Sequence, residues 1–166
     1  MNWQEFKNAA PQIGALAQQA FDEQHLAILG TLRVDGWPRV SPCEVYFVDG
    51  EMLLGMMPRS KKVDDLRRDA RITVVNGQEN REPKLGDVKL YGTAIEVTDH
   101  DQRERLADAQ EALIDWRPPG NAPVFAVDIE HASYISFGDR RRLLIWTPSA
   151  GEVEREHPER AIEEAG

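Results

Sequence analysis

Two spacings alternate along this chain: apolar residues three to four apart in a few stretches, and strict apolar–polar alternation in many short ones. Residues 11–23 carry Ile13, Leu16, Ala17, Ala20 and Phe21 at the i, i+3, i+4, i+7, i+8 positions of one helical face, and Pro11 suits a first helical turn. From residue 25 the pattern changes. Residues 25–34 form an apolar, strand-like run, Asp35-Gly36 is a hairpin signal, and residues 37–48 return as a second strand. In that strand Val40, Tyr46 and Val48 fall on one face, and Arg39, Ser41, Cys43, Val45 and Phe47 on the other. Pro38 and Pro42 cannot donate to a ladder, so the run is expected at a sheet edge or bulged at Pro42. Asp49-Gly50 makes a second tight turn. Residues 53–57 read as a buried third strand that Pro58 ends, which completes an antiparallel meander.

Helical spacing returns with Val63 and Leu66 and predicts a helix over about 60–69. Residues 71–75 are a short β-branched strand, 76–86 a polar loop, and 87–97 a further strand. Gly92 within that strand predicts a bulge or a close backbone approach. Thr98 and Asp101 have capping-box spacing before a helix over 99–114 that is expected to bury Leu106, Ala109 and Leu113. Arg117-Pro118-Pro119-Gly120 stops it. Residues 124–129 and 133–137 read as two strands, Gly138-Asp139 as a turn, and 142–147 as the last strand. The charged stretch from Ser149 is expected to fray, leaving a domain over 1–148 and a tail over 149–166. Seven or eight short strands, mostly in hairpins, with three helices predict a mainly β fold, an antiparallel barrel with helices packed outside it. A doubly wound sheet is excluded by the irregular placing of helices and the lack of a G-x-G-x-x-G fingerprint.

Composition narrows the function classes. The chain has 166 residues, 41% hydrophobic and 30% charged, which suits one domain with one core. No apolar run approaches the roughly 20 residues of a membrane helix, and the start lacks the basic-then-apolar pattern of a secretory signal. Cys43 is the single cysteine, so an internal disulfide is impossible and a cytoplasmic setting is expected. A net charge of −9 argues against nucleic acid or an anionic membrane as partner. It does not exclude a small phosphate ligand, because a local cluster decides that. His25, His100, His131 and His157 share no ligand spacing, so no metal site is expected.

One cluster stands out in this acidic chain. Arg59, Ser60, Lys61 and Lys62 come in succession where a strand empties into a helix. Free amides, the positive end of the helix dipole, a capping-type hydroxyl and three cations together suit a phosphate. The plainer alternative is that Ser60 only caps the helix and the cations are solvated. Met56 and Met57 are equally readable as barrel core or as soft surface for a flat ring, and so is Trp146.

The order of these stretches resembles the pyridoxamine 5′-phosphate oxidase-like, FMN-binding split-barrel superfamily, from about residue 26 to residue 148. The stretches that carry the resemblance are AILGTLRVDGWPRVSPCEVYF, GEMLLGMMPRSKKVDDLRRDARITV, KLYGTAIEV and RRRLLIWTP, with Ser60-Lys61-Lys62 ahead of Leu66 the most specific part. The resemblance implies a six-stranded antiparallel split β-barrel with peripheral helices. It implies a homodimer with two flavin sites between the subunits. Arg39, Val40 and Ser41 would line the flavin ring and its side chain. Met56 and Met57 would lie beside the ring, and Arg59, Ser60, Lys61 and Lys62 around the phosphate. Lys89 and Trp146 would border the site. The set of substrate-phosphate residues of a true oxidase is missing near the C-terminus. Arg140, Arg141 and Arg142 precede Trp146 and read more simply as a hairpin turn.

The leading expectation is therefore an FMN-dependent oxidoreductase acting on a small molecule. A deazaflavin coenzyme is an alternative; its longer anionic tail would recruit further cations such as Arg67, Arg68 and Arg81. The same residues also admit a non-enzymatic flavin module, an empty barrel or a haem protein. Haem is disfavoured because the late histidine it would need, His157, sits in a polar stretch.

Overall fold

A computed structural model describes residues 1–77, 86–137 and 141–158. Most of the polar loop with Arg81, the Gly138-Asp139 turn, Arg140 and the end of the tail lie outside the described residues. Six strands close a barrel. They are β1 (Leu26–Leu32), β2 (Pro38–Val48), β3 (Glu51–Gly55), β4 (Arg71–Asn76), β5 (Asp87–Glu96) and β6 (Val124–Ser136), all paired antiparallel. The sheet order is β3-β2-β1-β4-β5-β6, and β3 pairs again with β6 through Leu53 and Ala126 to close it. The far half of β6 continues into β7 (Arg142–Thr147) and β8 (Gly151–Arg155). Residues 124–136 are thus one long strand rather than two, because the barrel uses its first half and the β7–β8 wing its second. The 151–155 segment, expected to fray, is held by its pairing with β7 and by the Arg142–Glu154 ion pair at 3.0 Å.

Among the described residues four helices surround the barrel: α1 (Trp3–Ala9), α2 (Pro11–Gln24), α3 (Lys61–Arg68) and α4 (His100–Ile114). Helix α1 was not expected. Asn2 and Glu5 form a reciprocal capping box at its start, and Trp3 and Phe6 are buried on its inner side. Trp3 stacks on Phe47 at 4.5 Å, and Phe6 meets Trp146 edge-on at 5.3 Å. Helix α2 begins with Pro11 and takes no cap from its own N-cap residue, Ala10. Instead Glu152 of β8 accepts from the Gln12 and Ile13 amides at 3.1 and 2.6 Å. Helix α4 starts at Asp99, which accepts from the Gln102 amide at 2.8 Å, so Thr98 is not the cap. Its buried residues are Leu106, Ala107 and Gln110, whereas Leu113 is exposed, because α4 leans on the barrel with the face next to the expected one.

The inward faces of the strands and the α1–α2 pair make one core, with Leu29, Val45, Met52, Leu54, Val74, Leu90 and Trp146 in it. A second, smaller cluster of Tyr46, Leu53, Leu106 and Val124 lies under α4 on the outer side of β2 and β3. Coverage on both faces explains why β3 reads as a continuous apolar run. Gly92 sits where the β5–β6 register shifts, and a Cβ there would collide with the Asp128 carbonyl. Pro38 and Pro42 lie in the half of β2 that pairs with β1 alone, so the expected edge is real for that half, while residues 45–48 also pair with β3.

Candidate functional site

Strand β3 ends at Gly55, two residues earlier than its apolar run suggested, and residues 56–59 cross to α3. The Ser60 amide donates to the Met57 carbonyl at 3.0 Å and closes a turn; the Ser60 carbonyl accepts from Val63 at 3.0 Å and starts the helix. Ser60 occupies the N-cap position in extended backbone, yet its hydroxyl makes no capping bond. The Lys61 and Lys62 amides are in the first turn, where a helix supplies no acceptor. Arg59 is exposed and forms no ion pair among the described residues. Lys61 holds Asp64 at 3.1 Å on the surface.

Lys62 ties this corner to the open half of β2: its Nζ donates to the Pro42 carbonyl at 2.6 Å. The neighbouring Ser41 Oγ is buried and has no hydrogen-bond partner among the described residues. Two residues earlier, Arg39 reaches α3, where its Nε donates to Asp65 Oδ2 at 2.5 Å. Thr31 Oγ1 donates to the same oxygen at 3.1 Å, and Arg68 lies 3.4 Å from Oδ1. Burial alone raises the Asp65 carboxyl, but these donors, Arg39 first, outweigh it and hold the carboxyl below the usual carboxylate range. The Arg39 guanidinium is held more firmly protonated by the same bond. Asp65 and Thr31 were not singled out in the sequence. A carboxylate three residues before Arg68 and three after Lys62 reads as an ordinary surface pair until β2 is folded against it.

The structure thus gathers Arg39, Ser41, Arg59, Ser60, Lys61 and Lys62 about one junction of β2 with α3. Val40 alternates to the outer face and is exposed. Met56 is buried and Met57 is 75% exposed; both line a hollow of about 210 Å³ beneath α4, beside the junction. Lys89 belongs to β5, three strands from β2 across β1 and β4, and pairs with Asp87 at 3.4 Å. Trp146 is 1% exposed within the core, where Phe6 covers it, and so presents no face to a ligand. His157, expected in a polar setting, is buried with its ring edge-on to Phe137 at 5.7 Å. Among the described residues no group of three or more His, Cys, Asp or Glu is placed to hold a metal ion, and no helix is long and apolar enough to cross a membrane.

Cys43 faces inward on β2 and its thiol donates to the Gly55 carbonyl at 3.4 Å. Burial pushes the thiol up to about 11, against the pull of Lys62. Folded protein at pH 8 is therefore expected to leave Cys43 unlabelled by Ellman's reagent, with one thiol per chain reacting once denaturant is added. Rapid labelling without denaturant would contradict this burial.

A six-stranded antiparallel split barrel with a cationic strand-to-helix junction defines the class of protein. The chain belongs to the pyridoxamine 5′-phosphate oxidase family, whose model matches residues 14–136. No curated protein sequence matches it. Among solved structures, PhzG from Burkholderia lata 383, in complex with tetrahydrophenazine-1-carboxylic acid, is similar with a TM-score of 0.69 at 11% identity, over 90% of this chain and 93% of that one. A NimC/NimA family protein from Clostridium acetobutylicum is similar with a TM-score of 0.66 at 16% identity, over 86% and 98%. A heme binding protein from Mycobacterium smegmatis is similar with a TM-score of 0.60 at 19% identity over 81% of this chain. The match spans 57% of the length of that haem-binding chain. At these identities the likeness is one of fold.

Proposed function

We propose that the chain binds FMN at the β2–α3 junction and works as a flavin-dependent oxidoreductase on a small molecule. The observation that carries this reading is the Ser60 hydroxyl at a helix start that it does not cap, beside the Lys61 and Lys62 amides and the Lys62 ammonium. That donor set suits a phosphate. The buried Ser41 hydroxyl, unpartnered among the described residues, suits a second polar group of the same ligand. The residues present therefore fit the group. Ser60, Lys61, Lys62 and Arg59 would hold its phosphate, with Ser41 nearer its ring. A bound flavin supplies the electron-transfer chemistry, while the chain binds and orients it and keeps water from it.

FMN is favoured over a deazaflavin because, among the described residues, the two cations that a longer anionic tail would recruit, Arg67 and Arg68, are already engaged. Arg67 pairs bidentately with Glu96, and Arg68 donates to the Leu32 carbonyl and Asp65. Haem is disfavoured because the His157 ring is buried and packed edge-on against Phe137. A homodimer accompanies this reading. The half of β2 with Pro38 and Pro42 has one neighbour, and Val34, Trp37 and Val40 are exposed beside it. Exposed apolar side chains at an open edge call for cover.

The test is a titration of the purified protein with FMN, followed by flavin fluorescence and by light scattering. Saturable quenching, one FMN per chain, with an absorption maximum near ~450 nm in a dimer is the expected result. A dimer that takes up no FMN, or a band near ~420 nm after exposure to a deazaflavin only, overturns the assignment.

A further inference from the structure

The inner face of α4 carries an amide where an aliphatic residue is the rule. Gln110 is 2% exposed, and its Oε1 has no hydrogen-bond partner among the described residues. Gly55 makes room for it; a Cβ there would stand 2.9 Å from Gln110 Nε2. A buried acceptor without a donor is costly, so a donor arriving from outside the chain is strongly favoured there.

Gln110 borders the 210 Å³ hollow, whose other walls include Met56, Met57, Leu106, Trp116 and Val124. A cavity of about 150 Å³ accommodates benzene, so this one admits a single ring with a short substituent. Its walls are preformed. Arg103 donates to the Gly120 and Ala122 carbonyls at 2.7 and 2.8 Å and holds the loop after α4 in place. Arg117 in that loop is clamped by Glu104, Asp108 and Glu111 at 2.6, 2.7 and 2.9 Å. Among the described residues Arg103 is the one cation on the wall, and the two carbonyls occupy it. The remaining polar wall groups are the Gln110 amide, whose Oε1 lacks a donor among the described residues, the Glu104 carboxylate, held by Arg117, and the Glu44 carboxylate. Glu44 is contacted by the Tyr46 hydroxyl at a marginal 3.5 Å, which leaves it available.

We propose that this hollow is the substrate pocket and selects a small, largely apolar, single-ring molecule bearing an N–H or O–H donor, neutral or positively charged. It rejects phosphate esters and carboxylates. The word substrate rests on the flavin reading above, since Met56 and Met57 join this wall to the Ser60 junction; the selectivity of the hollow does not. A ligand donor meets Gln110 Oε1, the ring lies among Leu106, Trp116 and the methionines, and a positive charge is drawn to Glu44. An anion would face the Glu44 carboxylate with no free cation among the described wall residues to offset it.

Titration of the full chain, ¹⁵N-labelled, with benzylamine, benzyl alcohol and phenyl phosphate tests this, with and without FMN. Benzylamine and benzyl alcohol are expected to shift the Trp116 indole and Gln110 amide signals. Phenyl phosphate is expected to shift the Lys61 and Lys62 amides instead. Gln110→Leu is expected to weaken benzyl alcohol about tenfold. Glu44→Lys, an exposed change that spares the core, is expected to reverse the order of benzylamine and phenyl phosphate at Trp116. The proposal is overturned if phenyl phosphate perturbs Trp116 as readily as benzylamine does, if no ring compound perturbs it, or if Glu44→Lys leaves the order unchanged. Ring binding without FMN uptake upholds the selectivity and overturns the flavin reading; FMN uptake without ring binding does the reverse.

Discussion

Ser60→Ala combined with Lys62→Ala is expected to weaken FMN binding about a hundredfold. A hydrogen bond to a charged group contributes roughly 1.5–3 kcal/mol, and a phosphate held by the Ser60 hydroxyl and the Lys62 ammonium loses two of them at once. Even the lower end of that range for each bond amounts to two orders of magnitude in Kd. Stability should barely change. The Ser60 hydroxyl gives α3 no capping bond, and Lys62 is tied to the barrel by a single bond to the Pro42 carbonyl. The pair of measurements is therefore a flavin-fluorescence titration and a thermal melt. Unchanged affinity with an unchanged melt removes the phosphate from this junction.

Asp65→Ala is expected to lower stability by about 3 kcal/mol at pH 7, read by urea denaturation. The Asp65 side chain is 4% exposed and receives Arg39, Thr31 and Arg68, so its removal leaves a partly buried guanidinium and a buried hydroxyl without their acceptor. The pH dependence has a definite sign. The folded carboxyl sits below its ordinary value of 3.8, so it contributes stability that is fully present above that value and is lost as pH falls through the lower folded value. The gap between wild type and variant should be widest at neutral pH and close under acid. A gap that widened under acid would mean that Asp65 is protonated in the folded protein. The same substitution releases Arg39 beside Ser41 and so should tighten, not weaken, the hold on an added anion.

Most strands were legible because each has a covered inner face and a register that a one-residue slip would invert. The cationic junction was legible for a related reason: Arg59 to Lys62 are contiguous, and the change from a strand pattern to a helical one marks where a helix must begin. What escaped depends on partners remote in the chain. Strand β8 is written as GEVER, with one apolar residue, and is a strand only because β7 and Arg142 lie beside it. Helix α1 has two buried residues, too few for periodicity, although its Asn2–Glu5 cap was readable. In α4 the apolar residues at 109 and 113 suggested one face, whereas Gly55 leaves room for Gln110 on another. Asp65 looked like one more surface acid; only the return of β2 past α3 brings Arg39 and Thr31 to it.

Glu152 closes the start of α2 from a position 140 residues beyond Gln12. During synthesis the Gln12 and Ile13 amides leave the ribosome well over a hundred residues ahead of the carboxylate that accepts from them. The opening turn of this helix is therefore fixed late, after the ribosome has released β8.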